Sequence, residues 1–264
     1  RTGDRSPEVS DALLALGLLR LDQARLDDAD SLVRQAIAID SLTRPAGHIA
    51  RATARTALGR VQEAQGDYPA AIATHRAALD LHATRDTTAA AYWDAATQLA
   101  NAHFYAGNYD TADSLNRLVL AADRARRGAG HPAVAEDLIN LGATQFERGN
   151  YAEAEAYYRQ ALAINRAWYG EDHHAVAANL TMIGRVQIRA LRWEDAVGAL
   201  EEALAIRERV FGPDHPNVAS TVNELGTVAL RRERFEEAER HYLRANAIYR
   251  VTYGDRHYLV GITL

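Results

Sequence analysis

The sequence is similar to itself along its whole length, at a period of about 42 residues, which is within the range typical of repeat proteins. His131, His173, His215 and His257 are evenly spaced at this period, and each opens a similar string of residues. A second marker, an apolar residue followed by Gly or Ala, recurs at nearly the same period, at Leu16, Leu58, Leu99, Leu141, Ile183 and Leu225. In repeat proteins each unit buries its apolar face against its neighbours. The sequence therefore predicts a solenoid.

Each unit has the pattern of two helices joined by a turn. After His131, the apolar residues Val134, Leu138 and Leu141 are spaced by three and four, which indicates one face of a helix. Gly149 interrupts this pattern, as a turn residue does. A second apolar stripe follows, formed by Tyr151, Ala154, Tyr158, Ala161, Leu162 and Ile164. Glycines in the C-terminal cap position are predicted to end the second helices at Gly170, Gly212 and Gly254.

We predict an all-α fold made of a single array of helix–turn–helix hairpins over residues 7–264. The predicted repeats are 7–46, 47–86, 87–130, 131–172, 173–214 and 215–256, with a partial seventh at 257–264. The third repeat departs most from the pattern, because Asn116 stands at the large aromatic position and Val119 at a small-residue position. We therefore expect its second helix to pack differently or to shift register.

The small residues of each unit carry a family resemblance. Gly142 and Ala154 are predicted to let the two helix axes of a hairpin approach closely, while Tyr151 and Tyr158 fill the remaining space. This combination resembles the tetratricopeptide repeat, whose standard length is about 34 residues. The longer period of this chain and the Gly-x-x-His-Pro string between units resemble the kinesin-light-chain variety. The resemblance covers residues 7–264 and implies a right-handed superhelical solenoid of hairpins.

The resemblance also implies where a ligand binds. In this family, peptides lie in the concave groove that the first helices of the hairpins line. The positions of the first helices expected to face that groove include Arg60, Gln98, Asn101, Phe104, Tyr105, Asn140, Phe146, Arg185, Arg189, Asn223 and Arg231. We predict that these residues form the peptide-binding site.

The chemistry of the candidate residues suggests what the peptide contains. Amide side chains such as Asn101 and Asn140 can both donate to and accept from an extended backbone. Aromatic residues such as Phe146 offer an apolar anchor, and arginines such as Arg185 and Arg189 suit carboxylates. The predicted partner is a protein or short peptide that has a bulky apolar residue flanked by acidic residues.

Composition and missing motifs argue against other functions. The 30 basic residues are all arginine, cysteine is absent and the net charge is −5, with the charges interspersed. No basic face for nucleic acid is evident, and no apolar run is long enough for membrane insertion. Nucleotide-binding, nucleophile-elbow and metalloprotease motifs are lacking, so we expect neither an enzyme nor a cofactor. The arginine bias suggests a GC-rich bacterium, and we expect a cytoplasmic location.

The periodic histidines and the paired carboxylates have simple structural interpretations. Histidines that lie one repeat period apart along a solenoid are too far from each other to share a metal ion, so we expect them to cap or pack the next helix and predict no metal site. Glu153 and Glu155 are predicted to lie on an exposed helix face, with Glu155 paired to Arg159 four residues later. The aromatic residues Trp193 and Phe235 are predicted to lie in the core.

Both ends of the array lack the polar capping that a solenoid needs. The first helix is apolar on nearly every face, with leucines at 13, 14, 16, 18, 19 and 21. We expect an upstream segment to cover this helix, or the chain to self-associate through it. Because the chain begins without Met and looks cut at both ends, two alternatives to a peptide scaffold stay open. One is the regulatory arm of a larger bacterial signalling enzyme, a Ser/Thr kinase or NTPase, and the other is a self-assembly module.

Overall fold

The computed structural model describes residues 5–84, 89–255 and 258–261. Within these ranges the chain forms thirteen α-helices and no strands, so the all-α prediction is confirmed. In chain order they are α1 (Pro7–Asp22), α2 (Leu26–Thr43), α3 (Ile49–Ala64), α4 (Tyr68–Ala83), α5 (Ala90–Tyr105), α6 (Tyr109–Arg127), α7 (Pro132–Glu147), α8 (Tyr151–Tyr169), α9 (His174–Arg189), α10 (Trp193–Phe211), α11 (Pro216–Arg231), α12 (Phe235–Tyr253) and α13 (Tyr258–Gly261). We call the odd-numbered helices first helices and the even-numbered ones second helices.

The chain divides into two compact units, residues 1–122 and 123–264, and the boundary falls within α6. Within each unit, a second helix packs against the first helix of the next repeat, as α2 does on α3, α4 on α5, α8 on α9 and α10 on α11. The core of each unit therefore forms between hairpins as well as inside them. The single array over 7–264 stays a prediction.

Close approach within a hairpin depends on a glycine that faces a large side chain. A Cβ atom on Gly142 would lie 2.5 Å from Cε1 of Tyr158, and one on Gly184 would lie 2.8 Å from Cγ of Leu200. Ala154, the predicted small residue of the second helix, is fully buried. The ring of Tyr158 thus fills the space that the missing side chain leaves, as the sequence predicts.

The third repeat keeps the register of the others. Its second helix, α6, begins and ends one full repeat period before α8 does. Asn116 and Val119 are each only 3% exposed, so both unusual residues point into the protein. The expected register shift does not occur. Ala100 and Asn116 occupy the positions that Gly142 and Tyr158 occupy in the next repeat, so a larger first-helix residue accompanies a smaller second-helix residue.

Histidines cap four of the first helices, α3, α7, α9 and α11, which confirms the prediction that the periodic histidines cap helices. Nδ1 of His131, His173 and His215 accepts a hydrogen bond from the backbone N–H two residues later, at 3.1, 3.2 and 3.1 Å. His48, which the predicted series does not include, makes the same contact at 3.3 Å. His257 lies outside the described residues. Such caps satisfy one of the N–H groups that a helix start leaves without an intrahelical partner.

Two predictions about burial are wrong. Glu155 is 7% exposed rather than on an open face, because Arg192 and Gln187 of the next repeat donate hydrogen bonds to its carboxylate. Its predicted pair with Arg159 is present at 2.7 Å. Phe235 is 62% exposed rather than in the core. The equivalent Tyr151 is covered by Arg189 of the following first helix. Within the described part of α13, Val260 packs with Ala245, Ile248 and Tyr249, which lie in the C-terminal part of α12 and not beside Phe235.

Candidate functional site

An open notch lies on the first helices of the second unit. Its walls come from Ala143, Phe146 and Glu147 of α7, Tyr158 of α8, and Met182 and Arg185 of α9, and its volume is about 200 Å³. Phe146 and Met182 are half-buried, so their apolar surfaces face the opening. We call this cavity the apolar notch, and it offers space for one apolar side chain.

The floor of the apolar notch is held rigidly by Tyr158. Its ring packs against the backbone of Gly142, and its side chain is 5% exposed. Burial raises the pKa of the Tyr158 hydroxyl to about 12, so the phenol stays neutral. The notch therefore has an uncharged aromatic floor beside the thioether of Met182.

Arg189 lies beside Phe146, one of the residues that line the notch. Its guanidinium lies 5.9 Å from the ring centroids of both Phe146 and Tyr151, and its Nε donates to the Tyr151 hydroxyl at 3.3 Å. The two rings are themselves 5.7 Å apart. Cation–π contact of this kind fixes the guanidinium over the aromatic pair. The hydroxyl hydrogen bond is the first of several influences that raise the pKa of Arg189.

Arg185 carries the positive charge at the rim of the notch. Its Nε lies 3.1 Å from a carboxylate oxygen of Glu224 on α11, and its side chain is 61% exposed. Burial raises the pKa of Glu224, while Arg185 and Arg207 oppose this shift. A guanidinium has five N–H donors. The ion pair with Glu224 therefore orients Arg185 while its outer N–H groups face the solvent side.

The other predicted residues of the second unit lie on the same first helices. Asn140 and Asn223 are half-buried, and Arg231 is exposed in the last turn of α11. Oδ1 of Asn223 is buried and has no hydrogen-bond partner among the described residues. The notch itself is lined by neither Asn140 nor Arg231. The structure thus brings Phe146, Arg185 and Arg189 together as one group.

The first unit contains its own set of predicted residues. Arg60, Gln98 and Tyr105 line one cavity of about 340 Å³, together with Tyr68 of α4. Tyr105 is 60% exposed and stacks on Tyr68 with ring centroids 6.1 Å apart. The remaining predicted pair, Phe104 and Asn101, is half-buried, and Phe104 makes an edge contact with Tyr109.

We also searched the described residues for metal sites and for membrane-spanning helices. Among them, no three histidine, aspartate or glutamate side chains come together so as to hold a metal ion. None of the described helices is both long enough and apolar enough to cross a membrane.

The repeat pattern matches a known family model over nearly the whole chain. The model for the tetratricopeptide repeat matches residues 8–83, 87–167, 140–209 and 188–251. The chain belongs to the tetratricopeptide repeat family. No curated protein matches it significantly.

Several solved structures resemble the chain in fold but share little of its sequence. BtubC (BKLC) from P. vanneervenii superposes with a TM-score of 0.69 at 22% identity, covering 93% of this chain and 92% of that one. The nearly identical TPR-like repeats of a putative kinesin light chain from Podosopora anserina give a TM-score of 0.67 at 20% identity, covering 78% and 98%. A Rap protein complexed with competence and sporulation factor gives 0.65 at 14% identity, covering 95% and 71%. At these identities the likeness establishes the fold.

Three side chains that line the notch of this tetratricopeptide repeat protein are not among the predicted peptide-binding residues. Met182 and Glu147 lie on the same first helices as the predicted residues, and Met182 precedes Arg185 by three residues on one helix face. Tyr158 was assigned only to packing. The floor position of Tyr158 depends on the glycine opposite, and the ion pair with Glu224 joins two different repeats.

Proposed function

We propose that this tetratricopeptide repeat protein is an interaction scaffold, and that the first helices of its second unit bind an extended peptide segment. A bulky apolar side chain of the peptide enters the apolar notch, and a neighbouring carboxylate pairs with Arg185 and Arg189. The observation that carries the proposal is this juxtaposition of an aromatic-floored notch with two arginines one helical turn apart.

The size of the notch favours a side chain over a small-molecule ligand. Its volume of about 200 Å³ is below the ~300–1,000 Å³ typical of small-molecule sites. A peptide gains affinity from several such contacts along an extended wall, and half-buried amides such as Asn140 and Asn223 can hydrogen-bond its backbone. The open notch also lacks the enclosure that catalysis usually requires, so we propose binding rather than catalysis.

A solved relative supports the proposal at the level of the fold. The Rap protein that superposes on 95% of this chain was crystallised complexed with competence and sporulation factor. A chain of this fold can therefore hold a bound factor. The residues that hold a ligand in the present chain are inferred from its own notch.

The first unit offers a second contact region for the same partner class. Arg60 and Gln98 line a cavity there with the exposed ring of Tyr105. Asn101 and Phe104 lie on the same helix, α5. We propose that these five residues contact a peptide through the same combination of amide, aromatic and guanidinium groups.

The proposal is tested with a fluorescein-labelled peptide that has a central Trp flanked by Asp and Glu. Its binding to the full chain is measured by fluorescence anisotropy, beside peptides in which Trp is replaced by Ala or the acids by Gln. The variants are Arg185→Ala with Arg189→Ala, Met182→Glu, and Asn140→Ala. Arg240→Ala, which removes an exposed arginine from a second helix, is the matched control.

We expect the double arginine variant and Met182→Glu each to weaken binding about tenfold or more, since each removes charge pairing or apolar contact worth about 1.4 kcal/mol or more. Binding should also weaken with added salt, because the arginines are exposed. The proposal is wrong if the peptide binds Arg240→Ala with the same affinity as the double arginine variant, Met182→Glu and Asn140→Ala.

A further inference from the structure

The cavity of about 340 Å³ in the first unit occupies the same position on the repeat as the apolar notch does in the second unit. The hairpin of α3 and α4 sets this register, because a Cβ on Gly59 would clash with the ring of His75, as one on Gly142 would with Tyr158. The residues of α3 and α5 that line the cavity therefore have counterparts on α7 and α9. We call this cavity the polar notch.

The polar notch has charged and amide side chains where its counterpart is apolar. Glu63 stands at the repeat position of Phe146, and Gln98 stands at the position of Met182. Both apolar groups that face the opening of the apolar notch are thus exchanged for hydrogen-bonding groups. A side chain that suits one notch does not suit the other.

The carboxylate of Glu63 lacks a hydrogen-bond donor within the described part of the chain. Its Oε1 is buried and makes no hydrogen bond there. Nε2 of the fully buried His75 lies 3.2 Å from this oxygen, but the contact does not have hydrogen-bond geometry. A carboxylate that is largely removed from water and has no donor is costly. A donor that enters the polar notch therefore meets an unsatisfied acceptor.

Two tyrosine rings stand beside this carboxylate in the lining of the polar notch. Tyr105 is 60% exposed, and it stacks on the half-buried Tyr68 at an interplanar angle of 19°. In the second unit the same two repeat positions hold Arg189 over the ring of Tyr151. That repeat supplies its own cation to the aromatic position. The tyrosine pair of the first unit instead leaves an aromatic surface to which a cation of a ligand is attracted.

Arg60 is the basic residue among the described residues that line the polar notch. It is exposed and lies three residues before Glu63 on α3, yet the two side chains form no ion pair. A ligand that brings only a positive charge would be repelled by this guanidinium. A ligand with a carboxylate next to its basic group can pair with Arg60 and Glu63 at the same time.

We propose that the polar notch binds an arginine side chain of the partner peptide, and that a neighbouring carboxylate of the peptide pairs with Arg60. This inference rests on the proposed function, because it takes the first helices as the surface that binds the peptide. A guanidinium can donate to Glu63 and stack on an aromatic ring at once. A bulky apolar side chain would bury the Glu63 carboxylate without a partner, so the notch selects against the residue that the second unit binds.

The test uses the full chain and a fluorescein-labelled peptide of Gly and Ser residues with a central Asp-Arg pair. One comparison peptide has citrulline in place of Arg, which keeps the shape and removes the charge, and another has Leu. Fluorescence anisotropy measures binding to the wild-type chain, Glu63→Gln and Tyr105→Ala. Asp80→Asn is the matched control, because it removes an exposed carboxylate from α4 of the same repeat. Circular dichroism verifies that the variants keep their helical content.

We expect the Arg peptide to bind the wild-type chain about tenfold more tightly than the citrulline and Leu peptides, since it alone forms charge-assisted hydrogen bonds with Glu63. Glu63→Gln should abolish this preference, and Tyr105→Ala should weaken binding of the Arg peptide about threefold. Asp80→Asn should change neither. The inference is overturned if the Arg and citrulline peptides bind equally, or if Glu63→Gln binds the Arg peptide as tightly as Asp80→Asn does.

The two units are tested separately by exchanging their peptides. Glu63→Gln should bind the acidic Trp peptide with wild-type affinity, and Met182→Glu should bind the Arg peptide with wild-type affinity. Loss of Trp-peptide binding alone contradicts the proposed site of the second unit and leaves the arginine preference of the polar notch intact. Absence of that preference, in a chain that binds the Trp peptide, contradicts only the present inference.

Discussion

Gly142 and Tyr158 pack so closely across a hairpin that a single added carbon, the Cβ of a larger residue at position 142, would clash with the tyrosine ring. A Cβ on residue 142 would stand 2.5 Å from Cε1 and 2.7 Å from Cδ1 of the tyrosine ring. The ring is 5% exposed and cannot swing into solvent without opening the core. The glycine is therefore required by the side chain that faces it rather than by the backbone of α7, which is regular helix at this point.

We expect Gly142→Ala to lower the free energy of unfolding by about 1–3 kcal/mol, the usual cost of overpacking a core. Gly198→Ala is the matched control, since Gly198 lies in the middle of α10 and a Cβ there would meet nothing within 4 Å. That substitution should raise stability by about 0.5–1 kcal/mol through helix propensity alone. Urea denaturation of both variants measures the difference. Equal stability of Gly142→Ala and the wild-type chain would show that α7 and α8 shift apart without cost.

Leu191 has a strained backbone at the turn between α9 and α10. Its φ is +60°, whereas Gly149 takes the equivalent turn position of the preceding repeat with a φ of +79°. The left-handed region costs a residue with a side chain about 1–2 kcal/mol. Leu191 is 69% exposed, so its side chain contributes little burial in return.

We therefore expect Leu191→Gly to raise the midpoint of thermal unfolding, with a gain of about 0.5–1 kcal/mol after the extra entropy of the unfolded glycine is subtracted. Gly149→Ala, the reverse change at the equivalent turn, should lower it by a similar amount. Differential scanning calorimetry compares the two. A lower midpoint for Leu191→Gly would mean that the leucine side chain makes a contact that outweighs the strain.

The sequence pattern predicted those features of the fold that depend only on the residues within one repeat and on the length of the repeat period. The hairpins, the glycine at C-terminal caps and the capping histidines all follow from local spacing, as at His131 and Gly170. Burial that depends on a neighbouring repeat was harder to predict. Glu155 looks like a surface residue of α8 until Arg192, 37 residues later, is placed beside it.

In the candidate site, too, the helix positions of the residues could be predicted from the repeat pattern, whereas their packing could not. The periodicity placed Phe146, Arg185 and Arg189 on first helices, which is enough to predict that they share a wall. The notch between Phe146 and Met182 arises from side-chain packing over Tyr158, and no spacing rule specifies such a cavity. Phe235 also has the sequence of a core position, but the burial of that position depends on a side chain of another repeat, as Arg189 covers the equivalent Tyr151.

Glu155 is the centre of a buried hydrogen-bond network between two repeats. Arg192 and Arg159 donate to its carboxylate, and Gln187 Nε2 donates at 3.0 Å. Burial alone would raise the pKa of Glu155, but these donors outweigh burial and hold the pKa below its usual value. A carboxyl with a lowered pKa stabilises the folded state above its unfolded pKa, and this contribution is lost as the pH falls through the folded pKa.

We expect Glu155→Gln to lower the free energy of unfolding at pH 7 by about 1–3 kcal/mol, because Arg192 loses its charged partner and buried N–H groups lose acceptors. Glu153→Gln, two residues away on the same helix turn but exposed, should change it by no more than about 0.5 kcal/mol. Urea denaturation at pH 7 and near pH 3.5 measures both. The difference in the free energy of unfolding between the two variants should be smaller at the lower pH. A difference that stays constant would show that Glu155 acts through the shape of its side chain and not through its charge.

Asp137 presents the opposite case, a buried carboxyl that the fold tolerates poorly when charged. It is 6% exposed, and its Oδ2 has no hydrogen-bond partner among the described residues. Burial first, then the nearby charges of Asp123 and Glu136, raise its pKa from 3.8 to about 7, although Arg127 and Arg124 oppose the shift. The folded chain therefore keeps a proton on Asp137 that the unfolded chain has already released. Stability must fall as the pH rises from about 4 to about 7.

We expect Asp137→Asn to raise the free energy of unfolding at pH 8 by on the order of 2 kcal/mol, because the amide avoids the cost of a buried charge and can donate to Asp123. The next repeat supports this choice, since its equivalent residues are Asn165 and Asn179, joined by a hydrogen bond of 2.7 Å. The gain should shrink towards zero at pH 4 to 5, where the wild-type carboxyl is protonated in the folded chain. Urea denaturation at pH 4.5 and pH 8 checks the sign, with Asp214→Asn in an exposed loop as the control. A gain of equal size at both pH values would show that Asp137 affects stability through packing and not through its charge.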